Sequence, residues 1–215
     1  MVCTTKRRSR RTRRILELAL GLGLAAALIW GNVSLHRQQA LADRVVRLHI
    51  LANSDSEEDQ ALKLQVRDRV LDRAAEILTE SADRAAAERA LRAALPELES
   101  LAADEIALRG YDYPVTAELA DTAFPTREYD GFALPAGRYL ALRLVIGAGE
   151  GHNWWCVVFP PLCTAVSSDL AQTAMAAGLT EDDVQLITES ESGYVLKFKS
   201  IELWESLRAR LAPEE

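Results

Sequence analysis

Residues 47–68 read Arg-Leu-His-Ile-Leu-Ala-Asn-Ser-Asp-Ser-Glu-Glu-Asp-Gln-Ala-Leu-Lys-Leu-Gln-Val-Arg-Asp, and this segment constrains the fold more than any other. Residues 44–52 alternate with the period of a strand: Val46, Leu48, Ile50 and Ala52 share one face, and Arg47, His49 and Leu51 share the other. The polar run Asn53-Ser-Asp-Ser56 breaks the strand. Ser54 with Glu57, or Ser56 with Asp59, has the spacing of a capping box, so a helix is expected to begin near Glu57 with acid in its first turn. Leu62, Leu64, Val66, Val70, Leu71, Ile77 and Leu78 carry that helix to about Thr79.

On a helical wheel at about 100° per residue, Leu62, Val66, Val70 and Ile77 gather on one side and Leu64, Leu71 and Leu78 on the other. Lys63 and Arg67 fall between them with Ala74, in the middle of the apolar arc. An unpaired buried cation is costly, so both need partners. Asp55, Glu58 and Asp59 are near enough in sequence to supply them. Two readings stand. The cations brace the strand–helix corner, or they face a partner protein together with His49, Asn53, Asp55 and Asp59.

The rest of the chain is expected to follow in blocks. A second helix runs from about Ala82 to Leu95, and Pro96 permits a fresh helical start that ends near Gly110. Residues 113–120 and 138–146 alternate like strands. Residues 121–137 between them are rich in Pro and Gly and read as a long exposed hairpin loop. Residues 147–153 form a turn, residues 154–159 a third strand of the same meander, and Pro160-Pro161 its stop. A short helix over residues 168–177, capped by Ser167 or Ser168 and ended by Gly178, precedes a strand over 194–199 and a helix over 201–211. Blocks of helices and strands without repeats predict a single α+β domain, with helices packed on a mainly antiparallel sheet.

Charge divides the chain. Residues 1–42 contain eight Lys and Arg against Glu17 alone, a net +7, which leaves −14 for residues 43–215 out of the total of −7. So acidic a domain is a poor ligand for a phosphate backbone, which excludes nucleic acid as a partner. The basic run Lys6–Arg14 leads into Ile15–Trp30, which is apolar apart from Glu17, and Ala40-Leu41-Ala42 offers a small-residue cleavage site. Residues 1–42 are therefore a signal peptide or an uncleaved membrane anchor. In either case positive charge stays inside and residues 43–215 form an extracytoplasmic domain.

Catalytic patterns are scarce. His36, His49 and His152 are the only histidines, and without HExxH a zinc site is not expected. No G-x-S-x-G occurs. Gly147-Ala-Gly-Glu-Gly151 precedes a strand, whereas a dinucleotide-binding loop opens a helix. Asp55–Asp59 lacks the glycine of a calcium loop, where Gln60 stands instead. A Cys156–His152 nucleophile–base pair on one strand would be separated by roughly 13 Å, at about 3.3 Å per residue. No catalytic residue, metal, cofactor or small-molecule substrate is expected.

Trp154-Trp155-Cys156 with Phe159-Pro160 is the second unusual cluster. Neighbouring strand residues point to opposite faces, so one Trp is core and the other is exposed unless covered. An exposed Trp beside a rigid diproline suits an interface anchor. Cys156 and Cys163 would both lie outside the cytoplasm, where they form a disulfide or remain as two buried thiols.

Both unusual clusters point to one family. Residues 47–68, and Asn153-Trp-Trp-Cys-Val-Val-Phe-Pro-Pro-Leu-Cys163, resemble the two signature blocks of the stage II sporulation protein R family. The export segment, block order and length also agree, so the resemblance covers about residues 44–200. Residues 73–109 and the basic run Lys6–Arg14 have no match. The resemblance implies a protein made in the forespore and exported into the space between the forespore and mother-cell membranes. There it triggers an aspartic-type membrane protease that removes the pro-segment of sigma factor E. It implies an activator and not an enzyme. The rival from another class is an extracytoplasmic cell-wall hydrolase using Asp55, Glu58 or Asp59. That chemistry needs two carboxylates facing one cleft.

Overall fold

The structure is a computed structural model, and it describes residues 3–163 and 169–188. The chain divides into two compact units, residues 1–40 and 41–215. The first is occupied by the helix α1, Cys3–Ala42, which runs on into the start of the second. From Ile15 to Ala42 it is long and apolar enough to cross a membrane. Its Leu16, Leu20 and Trp30 side chains are exposed, as a helix built to be covered by lipid would leave them.

The second unit is built on a four-stranded sheet of order β2-β5-β1-β6. These strands are β1 (Val46–Leu51), β2 (Val115–Phe124), β5 (Gly137–Ile146) and β6 (Asn153–Phe159). β2 pairs antiparallel with β5, β5 parallel with β1, and β1 antiparallel with β6. The class is α+β with a mostly antiparallel sheet, as expected. The meander is not what forms, because β1 inserts between β5 and β6 and residues 147–152 cross over its end. Parallel pairing of β1 with β5 needs a long crossover, and the two long helices α2 (Glu57–Leu78) and α3 (Arg84–Leu108) supply it.

Each face of the sheet has its own core. Val46, Leu48 and Ile50 of β1, with Leu142, Leu144 and Cys156, meet Leu62, Val66 and Val70 of α2 and Leu91 and Leu98 of α3. The opposite face gathers Leu41, Ala42, Val45, Phe124, Phe132, Leu134, Tyr139 and Val157. It is covered by a two-stranded ribbon, β3 (Arg127–Tyr129) with β4 (Phe132–Leu134). Two short helices, α4 (Leu170–Ala176) and α5 (Glu181–Thr188), contribute Leu170, Ala174, Val184 and Ile187 to the same core.

Three local expectations need correction. α3 runs unbroken through Pro96. Its buried face, Leu91, Ala94, Leu98, Ala102 and Ile106, continues past the proline, so packing outweighs the missing hydrogen bond. Residues 121–137 are not an exposed loop. β2 pairs as far as Phe124 opposite Gly137, and Phe124, Phe132 and Leu134 are buried. The short helix after β6 is preceded by Asp169 and not by a serine cap, and the residue after its C-cap, Gly178, has a φ of +91°. The helix α5 was not foreseen. The strand expected over 194–199 and the helix over 201–211 lie outside the described residues.

Candidate functional site

The corner between β1 and α2 is held by side chains from residues 53–60. Ser56 is the N-cap, and its hydroxyl accepts from the Asp59 N–H across 3.1 Å. The Asp59 carboxylate reaches back to accept from the Ser54 hydroxyl at 2.6 Å and the Asn53 amide at 2.8 Å. These hydrogen bonds, led by that of Ser54, hold the Asp59 carboxyl below its ordinary value although burial opposes them. A buried carboxylate kept ionised and fully engaged is poorly suited to donate a proton, which weighs against the hydrolase reading.

The glycine-rich segment 147–151 packs directly on this corner. Asn53 Oδ1 accepts from the Ala148 N–H at 3.0 Å, and the backbone oxygens of Ala52 and Asn53 accept from Gly151 and Glu150. A Cβ on Gly147 would lie 2.2 Å from Asn53 Oδ1, and one on Gly151 would lie 2.2 Å from the Ser54 carbonyl oxygen. Glycine is therefore required at 147 by the Asn53 side chain and at 151 by the Ser54 backbone. Asp55 completes the clasp: Oδ1 accepts from the His152 N–H at 2.6 Å and also contacts His152 Nδ1.

Lys63 and Arg67 share a face of α2 but not an environment. Lys63 is 4% exposed. Its ammonium donates to Gln60 Oε1 at 2.6 Å and to the His152 carbonyl at 2.8 Å. The expected ion pair with Asp55, Glu58 or Asp59 does not form, because Asp59 is consumed by the turn and Asp55 by His152. Burial pushes the Lys63 ammonium below its ordinary value, and Asp55 acts in the opposite sense through its charge. Arg67 is half-buried. It pairs with Asp68 at 2.6 Å, and its guanidinium carbon stands 5.0 Å from the centre of the Trp154 ring, within cation–π range.

This contact joins the two sequence clusters. Arg67, Asp68, Leu71, Asp72, Trp154 and Cys163 line one surface hollow of about 350 Å³. Beneath it, the Cys156 and Cys163 sulfurs are in contact with Cα atoms 6.2 Å apart, inside the span a disulfide requires. Phe159 and Pro160 are buried and do not line this hollow, so they are not exposed anchors.

His49 and Trp155 are placed elsewhere. Alternation along β1 and β6 sends both to the opposite face, with ring centres 5.8 Å apart. His49 is therefore separated by the sheet from Lys63 and Arg67. Its Nε2 meets Asn153 Oδ1 at 2.6 Å; an amide oxygen only accepts, so Nε2 carries the proton. Burial pushes the imidazole below its ordinary value.

The same face holds a residue that sequence reasoning passed over. Arg47 is fully buried. Its guanidinium lies 4.0 Å from the Phe124 ring centre and 5.0 Å from that of Tyr139, and it donates to the Tyr129 hydroxyl. Desolvation lowers its pKa. The available signal was an arginine in the middle of an otherwise apolar strand. Among the described residues, no cluster of His, Cys, Asp or Glu is arranged to hold a metal ion.

Residues 42–169 match the family described as Stage II sporulation protein R (spore_II_R). The stage II sporulation protein R of Bacillus subtilis (strain 168) is 38% identical over 123 residues, which cover 57% of this chain and 55% of that protein. The match thus spans about half the length of that relative. No solved structure matches.

Proposed function

This chain belongs to the stage II sporulation protein R family, and from that premise we propose that it is an exported signal of endospore formation. It acts between the forespore and mother-cell membranes. There it binds the outward face of an aspartic-type mother-cell membrane protease and switches on removal of the pro-segment of sigma factor E. It contributes a binding surface and no catalytic group.

The observation that carries this reading is the meeting of Arg67 and Trp154, one from each signature block, at the rim of a single hollow. Half-buried Arg and Trp side chains around a depression are the residue types that dominate protein–protein binding energy. Asp55 and Asp59 are occupied in holding the corner, and Glu58 is exposed on the first turn of α2, which weighs against two carboxylates sharing one cleft. The apolar α1 and the acidic second unit support an extracytoplasmic site of action.

A photo-cross-linking residue in place of Asp68, on the rim, tests the location. It is expected to capture the protease in co-expressing membranes, while the same residue in place of the exposed Arg138, on β5 beside the edge strand β2, captures none. Capture from both positions or from neither would count against the assignment of this surface.

A further inference from the structure

We propose that this chain keeps its N-terminal helix: it is not cut after Ala42, and the extracytoplasmic domain remains joined to the apolar segment as a membrane-tethered signal. This does not depend on the function proposed above.

Ala40-Leu41-Ala42 has the composition of a signal-peptidase site, with small residues flanking one larger residue. In the folded protein two of the three are core. Leu41 is 0% exposed and Ala42 is 6% exposed, and Val45 just beyond is 0% exposed. They pack in the cluster that contains Phe124, Phe132, Tyr139 and Val157. The polar part of the segment is fastened as well. The Arg44 N–H donates to the Leu41 carbonyl at 3.0 Å. The Arg44 guanidinium pairs with Asp183 at the start of α5 and donates to Thr180 Oγ1 at 3.2 Å.

Processing enzymes act before the domain folds, so burial alone does not hide the bond. The force of the observation lies in the product. A domain beginning at Asp43 would lack Leu41 and Ala42, leaving an unfilled site in the second core, and would place a new ammonium next to the Asp43–Arg44 turn. What lies immediately upstream, from Ile15 onward, is long and apolar enough to cross a membrane, so retention amounts to anchoring. The basic run Lys6–Arg14 would hold its end in the cytoplasm.

The test is to express the full chain in an exporting bacterium, separate membranes from soluble protein, and measure the intact mass and N-terminus. The wild type is expected in the membrane fraction, resistant to a high-pH wash, at its full mass of 23.7 kDa. An A40K variant spoils the cleavage motif at an exposed position and is expected in the same fraction, at the full-length mass of its own sequence. A soluble wild-type product starting at Asp43, with A40K restored to full length, would overturn the proposal. A soluble product released by a cut anywhere else within the apolar segment would overturn it equally.

Discussion

Lys63 and Arg67 stand one turn apart on α2 and do opposite work: Lys63 is buried and bonded to the His152 carbonyl, whereas Arg67 lies half-buried over the Trp154 ring. The wheel places both in the apolar arc and cannot distinguish them. The difference arises from the partner surface. Residues 147–152 fold over Lys63, while the side chain of Trp154, at the start of β6, stops short of covering Arg67.

Lys63→Met should therefore act on stability. It removes the ammonium from the partly buried His152 carbonyl and Gln60 amide oxygen, and a partly buried acceptor left unpaired costs up to about 1–3 kcal/mol. Chemical denaturation should report a loss in that range. Protease activation, measured well below the unfolding transition, should stay near wild type. A large loss of activation in a fully folded variant would place Lys63 in the contact surface.

Gly151→Ala should also destabilise, because the added methyl would meet the Ser54 carbonyl oxygen at 2.2 Å. Overpacking of this kind costs about 1–3 kcal/mol. Ala148→Gly, three residues away in the same segment, adds no atom to the corner and should lose much less. Equal thermal midpoints for wild type and Gly151→Ala would show that the loop does not pack here.

Stability should fall on mild acidification through His49. Its folded value is pushed below 6.5, first by burial, so the unfolded chain binds a proton that the folded chain resists. Its contribution is complete above the unfolded value near 6.5 and is lost as pH falls from there toward the folded value. Relative to His49→Gln, the wild type should lose stability progressively as pH falls below about 6.5. A difference that stays constant across that range would contradict the burial argument.

We expect the domain to carry a Cys156–Cys163 disulfide. Closing so short a loop would contribute about 2–3 kcal/mol through chain entropy. Alkylation before reduction should leave both thiols unlabelled, and reduction should lower the thermal midpoint. Full labelling without reductant would mean two free thiols.

Much of this was legible in the chain because it is local. The strand, the Ser56 cap and the start of α2 are set by neighbours within a few residues of one another. What was not legible depends on distant pairing. Nothing near Trp154 indicates that β6 will choose β1 over β5, yet that choice brings Trp154 to Arg67 and sends His49 to the other side of the sheet. The glycines of 147–151 suggest a phosphate loop or a plain turn until Asn53 and Ser54 are seen against them. Pro96 marks a helix break only if the buried face on either side is ignored. Arg47 looks like a surface residue of an alternating strand until the β3–β4 ribbon closes over it.

The central claim is that Arg67 and Trp154 form the surface through which this chain activates a protease. The direct measurement is conversion of pro-sigma-E in cells that co-express the membrane protease with wild-type chain, with Arg67→Ala plus Trp154→Ala, or with no chain. The account predicts conversion with the wild type, background conversion without the chain, and a loss of at least about tenfold in the double variant assayed well below its unfolding transition, the scale of one lost binding hot spot; because Trp154 also packs on the core, a lowered thermal midpoint is expected beside it. Equal conversion with and without the chain, or full activity in the folded double variant, would contradict it.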